Sequence, residues 1–223
     1  YNTEEDLIKL VHQANPKTIV GLISSFPYAI NWTEENVPAI IHLTHNSQEL
    51  GNGLADVLFG DYNPAGRSTQ TWVKSITDLP DFLDYDITKG RTYMYLKTEP
   101  LYAFGYGLSY TSFEYSNLQV KVVSGNKVNI SVTLKNSGQK TGKEVVQLYI
   151  RDHFASVTRP VKELKGFELV TLEPSESKEI SFILTEEELG FYDNDGQFIF
   201  EKGDFTIFVG GDSNANLQAQ ITL

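Results

Sequence analysis

Near residue 112 the hydrophobic pattern changes period, and no single sheet or helical layer accommodates both halves. Helix-like and continuous apolar runs lie before that point, and strand-like segments alone lie after it. The junction is Pro100-Leu-Tyr-Ala-Phe-Gly-Tyr-Gly-Leu-Ser-Tyr-Thr111. It sets Pro100, Tyr102, Phe104, Tyr106 and Tyr110 around Gly105 and Gly107, where a bulkier residue would hold the backbone away from a neighbour. A seam this aromatic predicts two domains docked face to face. Tyr93 and Tyr95 extend the stripe; its rings could stack on sugar, but burial in the domain contact is the stronger expectation.

Residues 4–15 read as a helix. Leu7, Ile8, Leu10, Val11 and Ala14 share an apolar face, Thr3 can cap it, and Asn15-Pro16 ends it. Thr18-Ile-Val-Gly-Leu-Ile23 and Pro38-Ala-Ile-Ile-His-Leu43 do not alternate, as in parallel strands buried on both faces. Residues 48–59 form a second helix with Leu50, Leu54, Val57 and Leu58 inward, closed by Gly60. Two such strands are too few, because an ordinary sheet has about five. The missing strands are expected upstream in a longer parent, or from another chain. Unpaired edges recruit strands, so self-association through residues 1–60 is expected.

Residues 61–112 are rich in turns, with a short strand expected over 69–73 and an extended acidic loop over 78–90. A loop this long packs or carries function; Trp72, Phe82, Tyr85, Tyr93 and Tyr95 predict packing. Strands are expected over 113–123, 126–135, 143–152, 161–170, 177–184, 197–201, 204–210 and 216–222, separated by turn clusters such as Asn194-Asp-Gly196. Val128, Ile130, Val132 and Leu134 alternate with polar residues, as in a strand with one wet face. The fold class is therefore α+β and multidomain. A partial α/β segment with parallel strands (1–66) leads through a connecting segment packed on both domains (67–112). An all-β sandwich of fibronectin type III or immunoglobulin kind (113–223) follows.

The formal charge is −11, from 29 acids against 18 bases, with no basic run; nucleic acid is not expected as a partner. No apolar run approaches the roughly 20 residues that span a bilayer, so membrane insertion is not expected. The acidic start, Tyr1-Asn-Thr-Glu-Glu-Asp6, does not read as a secretion leader, although the chain could be a trimmed piece of an exported protein. With no cysteine, thiol nucleophiles and disulfides are excluded. Two glycosylation sequons, Asn31-Trp-Thr33 and Asn129-Ile-Ser131, carry little weight.

Chemistry-bearing motifs are sparse. Glu34-Glu35, Asp84 with Asp86, and Glu186-Glu-Glu188 read as solvated surface or helix start. Phe191-Tyr-Asp-Asn-Asp-Gly196 lacks calcium-loop spacing and reads as a hairpin turn. No nucleophile elbow or phosphate loop occurs. His12, His42 and His153 read as packed or surface residues, and no cofactor or metal is implied. His45 follows a buried-type strand, where α/β proteins place ligand sites, and is the substrate-pocket candidate.

Several stretches resemble glycoside hydrolase family 3, the β-glucosidase and β-xylosidase family. They are Gly53-Leu-Ala-Asp-Val-Leu-Phe-Gly-Asp-Tyr-Asn-Pro-Ala-Gly-Arg67, Gly90-Arg-Thr-Tyr93, Pro100 to Thr111, and Arg159-Pro-Val-Lys-Glu-Leu-Lys-Gly-Phe167. Phe191-Tyr-Asp193, Gly203-Asp-Phe-Thr206 and Val209-Gly-Gly211 complete the match in family order. Two departures stand out: Ser68-Thr69 where the family usually has Leu-Pro, and Leu43-Thr-His-Asn-Ser47 where many relatives carry an aromatic-Pro-Gly stretch.

The resemblance implies a parent with a barrel, an α/β sandwich and a fibronectin-like domain, this chain supplying the end of the second and all of the third. Retaining hydrolysis needs two carboxyl groups about 5–5.5 Å apart. In the family the nucleophile lies in the barrel and the acid/base upstream of the segment matching Tyr1, so no catalytic residue is carried over. The implied partners are the upstream barrel and α/β portion and, through the parent, a β-linked plant-type oligosaccharide. The fragment itself is expected to be structural and inactive, and the family suggests an exported location, periplasmic or extracellular. Two rival readings are a stand-alone carbohydrate-binding or protein-docking module and a remnant of a truncated gene.

Overall fold

A computed structural model describes residues 3–45, 48–123 and 125–223. Helix α1 (Thr3–Ala14) opens with Glu4, Glu5 and Asp6, acids that suit the positive end of a helix dipole. Thr3, expected as its cap, is its first residue. Strand β1 (Ile19–Ile23), helix α2 (Asn31–Asn36), strand β2 (Ala39–Leu43) and helix α3 (Leu50–Phe59) follow. Two helices and two strands were expected here; the additional α2 is one short turn-and-a-half with no apolar period of its own.

β1 and β2 pair in parallel from Ile19↔Ala39 to Ile23↔Leu43, and among the described residues no third strand joins them. The expectation that both strand faces are buried is not met within the chain. Ile19 and Ile23 are exposed, as are Leu7, Leu10 and Val11 of α1 and Leu58 and Phe59 of α3. The apolar composition of a parallel strand is present, but the elements that would cover it are not.

The remaining strands build a sandwich. β3 (Phe113–Val123), β4 (Lys127–Asn136) and β7 (Ser177–Leu184) form one antiparallel sheet in the order β3-β4-β7. β5 (Gly142–Asp152), β6 (Glu163–Leu172), β10 (Asp204–Gly210) and β11 (Leu217–Thr222) form the other, in the order β11-β10-β5-β6. Val128, Ile130, Val132 and Leu134 point inward from β4 as their alternation requires. They meet Val146, Leu148 and Ile150 of β5, Ile180 and Leu184 of β7, and Phe205, Ile207 and Val209 of β10. Each such side chain stabilises the fold by about 1.5–3 kcal/mol through removal from water.

Three smaller elements decorate it. Helix α4 (Glu186–Leu189) starts at a capping box in which Thr185 and Glu188 bond each other's backbone. β8 (Phe191–Tyr192) pairs with β9 (Phe198–Ile199), so 191–196 is the hairpin turn its sequence predicted. The short strand expected over 69–73 is reduced to a single bridge, Trp72 to Tyr102.

Candidate functional site at the exit of the parallel strands

β5 is buried on both faces, which a sandwich strand with one wet face would not be. Val146, Leu148 and Ile150 face the core; Gln147 and Tyr149 point the other way and are covered by the aromatic seam. Tyr93 stacks on Phe104 at 4.6 Å and meets Tyr149 edge-on at 5.9 Å. Gln147 Nε2 donates to the carbonyls of Gly105 and Gly211, and Tyr149 OH donates to Gln147 Oε1 at 2.6 Å. Gly105 has φ +83°, and a Cβ there would lie 2.1 Å from Gln147 Oε1. A Cβ on Gly107 would lie 2.4 Å from the Gly66 carbonyl. Both glycines are therefore demanded by close approach, as their place in the seam predicts.

The seam also grips the α/β unit. Trp72 is 2% exposed and receives the edge of His42 at 5.0 Å on one side and Tyr102 at 5.8 Å on the other. Tyr102 stacks on Tyr106 at 5.2 Å. Tyr110 OH donates to the Val57 carbonyl at the end of α3, and Tyr95 OH donates to Thr158. The rings are thus engaged between the two units. Burial raises the Tyr102 phenol to about 12 and pushes Tyr115 and Tyr149 up as well. A buried ion pair joins connection to sandwich: Arg67 Nη2 lies 2.5 Å from Glu144 Oε2, and Tyr115 OH donates to Glu144 Oε1 at 2.7 Å.

That grip positions one polar edge. Parallel strands β1 and β2 end side by side, and Ser24 N continues the ladder to the Leu43 carbonyl at 2.9 Å. Buried Ser24 accepts from Phe26 N at 2.9 Å, which fixes the bend after β1. Phe26 then stands 72% exposed. Ser25 Oγ and His45 Nδ1 are 2.9 Å apart across the two strand exits. Gln70 Nε2 donates to the Ser25 carbonyl at 3.3 Å, tying the connecting segment to the same edge. His45 keeps Nε2 without a partner among the described residues. This pair can hydrogen-bond a hydroxyl-rich ligand. Among the described residues no third group orients the imidazole as an acyl-transfer dyad requires.

The other sequence candidates have structural work or lie apart. His12 meets Trp32 edge-on at 5.8 Å, and His153 Nε2 lies 2.8 Å from Thr206 Oγ1. Asp86 Oδ1 accepts from Thr88 N, and Asp193 Oδ1 accepts from the N–H groups of Asp195 and Gln197, so both are turn formers. Among the described residues no three His, Cys, Asp or Glu side chains converge as a metal requires, and no helix is long and apolar enough to cross a membrane. Two hollows lie in the sandwich, of about 480 Å³ along Arg151–Val161 and about 680 Å³ beside Tyr115 and Gly210–Leu217. The 78–90 loop corrects its expectation in part. Trp72 and Tyr93 pack, but Phe82 and Tyr85 project into solvent because the loop folds on its own aspartates. Ser25, Phe26 and Gln70 escaped the sequence reading. The sole hint was a pair of serines directly after a buried-type strand.

Comparison with known proteins settles the lineage. The glycosyl hydrolase family 3 C-terminal domain matches residues 1–110, and a fibronectin type III-like domain matches 144–213. The chain belongs to glycosyl hydrolase family 3. Similar proteins include a beta-xylosidase of Formosa agariphila, 37% identical over 97% of this chain, and thermostable beta-glucosidase B of Acetivibrio thermocellus, 39% identical over 93%. The crystal structure of a Kluyveromyces marxianus beta-glucosidase in complex with glucose superposes with a TM-score of 0.89 at 36% identity over all of this chain. The chain spans 31%, 29% and 28% of those three proteins, respectively. Of the two departures from the family pattern, Ser68 has a local role: its N–H donates to Tyr106 and its carbonyl accepts from Gly105, pairing the connection with the seam. The second covers Asn46 and Ser47, which lie outside the described residues.

Proposed function

We propose that this chain is the non-catalytic C-terminal portion of a retaining β-glycosidase that cleaves β-linked glucosides or xylosides. The supporting observation is the match of nearly the whole chain to under a third of relatives named beta-xylosidase and beta-glucosidase. A two-stranded parallel sheet with bare apolar helices beside it fits the same reading, since such a unit is completed by further strands. In this reading the fibronectin-like sandwich buttresses the α/β unit through the seam. His45, held by Ser25, lies at the lip of the sugar cleft and hydrogen-bonds a substrate hydroxyl through Nε2. Expression of the gene's complete reading frame tests both statements. Turnover of a nitrophenyl β-glucoside or β-xyloside is expected, with His45→Ala raising KM several-fold and leaving the fold intact. A complete reading frame without either activity contradicts the assignment, and an unchanged KM contradicts the role of His45.

Two further expectations belong to the same reading. Isolated from its upstream body, the chain self-associates through the open edges of β1 and β2; sedimentation as a concentration-independent monomer contradicts this. The parent is exported, as the name of the Salmonella typhimurium relative, periplasmic beta-glucosidase, supports. Cell fractionation finding it only in the cytosol would overturn that.

A further inference from the structure

β6 is the end strand of its sheet, and its two faces differ. The inner face is closed from within the chain. Val170 and Leu172 enter the core, a Cβ on Gly166 would lie 3.1 Å from the Phe182 ring, and Lys178 of β7 reaches Glu168 at 3.7 Å. The outer face is bare: Phe167 is 69% exposed and Leu169 56%. Strand alternation puts both on that one face, and the register sets them beside Gln147 and Val145 of β5. Gln147 is held there by the carbonyls of Gly105 and Gly211, so the seam covers this face of β5 and stops one strand short of Phe167. In the other direction the face runs on to the α/β unit. Thr171 pairs with Lys143, whose ammonium lies 5.5 Å from the centre of the Tyr62 ring. Tyr62 is 43% exposed, and its N–H donates to the Asp56 carbonyl, which seats it at the end of α3, where Leu58 and Phe59 are exposed.

We propose that Phe167 and Leu169, with Val145 and Tyr62, form a docking surface for the upstream body of the parent, which thereby touches the sandwich directly as well as the α/β unit. The identity of this partner rests on the functional reading above, and two continuities favour it. The strip extends the face of β5 that the seam already occupies, so it borders an interface that exists. It also reaches, through Tyr62, the bare end of α3, which the same reading covers with the upstream body. A body laid on α3 thus meets Phe167 and Leu169 without leaving apolar surface. Single exposed apolar residues are ordinary, but a run shared by two units marks an interface. The centre of the strip suits one chemically: it is aromatic and aliphatic, and its charge, Lys143, is already turned onto Tyr62.

The test is hydroxyl-radical labelling of side chains, compared between the 223-residue chain and the protein expressed from the gene's complete reading frame. Ile183, 54% exposed on the outer face of the other sheet, serves as the reference. Labelling of Phe167 and Leu169 relative to Ile183 is expected to fall several-fold in the complete protein. A second measurement checks that the contact stabilises. Phe167→Ser with Leu169→Ser should lower the melting temperature of the complete protein by several degrees and leave that of the 223-residue chain unchanged, since there both side chains already face water. Equal labelling of Phe167 in the two proteins overturns the proposal. Protection that appears in the 223-residue chain as its concentration rises, and is no greater in the complete protein, assigns the strip to a second copy and overturns it as well. Lack of glycosidase activity in the complete protein refutes the functional reading instead, because labelling reads contact and not turnover.

Discussion

Arg67 carries a guanidinium that reaches from the connecting segment into the sandwich, and its side chain and that of Glu144 are 8% and 7% exposed. Removing one partner of such a pair strands a buried charge. Arg67→Ala should therefore cost about 3 kcal/mol in urea unfolding; a loss below about 1 kcal/mol would place the pair among surface bridges. Gly107→Ala forces a Cβ toward a backbone carbonyl that cannot swing aside, and should cost about 2 kcal/mol; an unchanged melting temperature contradicts this. The raised phenols set a pH dependence. Their folded pKa values exceed the ordinary value near 10, so the stabilisation is complete below pH 10 and is lost as pH rises through the folded value, about 12 for Tyr102. A spectrophotometric titration should show Tyr102, Tyr115 and Tyr149 ionising together with unfolding above pH 10. Ionisation of all tyrosines in one step at the free value, with the fold retained, would contradict that burial.

The elements divide by how much of their apolar surface the chain itself covers. β4 and β5 lie at the centre of their sheets with inward side chains fully buried, whereas α1 and α3 bury no residue. Hydrogen exchange should therefore protect β4, β5 and β10 to near the global limit and release α1, β1, β2 and α3 far sooner; equal protection would show that residues 3–59 are held by contacts absent from this structure. The same division explains what could be read without coordinates. The sandwich strands were legible because one wet face imposes alternation on residues such as Val128 to Leu134. The parallel strands were legible from continuous apolar runs, but their lack of cover was not, since a sequence states what a strand would bury and not whether the partner is present. α2 carried no period to find. At the candidate site His45 was legible from its place after a strand. Ser25 was not, because a hydrogen bond across 20 residues leaves no local pattern. Phe82 and Tyr85 read as packed because aromatics in a long loop ordinarily are, and the Asx turns that lift them into solvent have no hydrophobic signature.

At the scale of the whole molecule, a complete sandwich and an aromatic seam hold an α/β unit that is only partly built, and the outer surface of that unit is apolar. The chain matches about 30% of its relatives' length, and in the proposed reading the elements that cover that surface belong to the rest of such a protein. Catalysis requires two carboxyl groups facing one another across a sugar. Of the acids in the sequence clusters, Glu188 caps a helix, and Asp86 and Asp193 form turns. The most direct measurement is hydrolysis of nitrophenyl β-glucoside and β-xyloside by the purified 223-residue chain. Release indistinguishable from a buffer blank is expected; steady turnover by the chain alone, abolished by substitution of one of its own carboxylates, would contradict the non-catalytic reading.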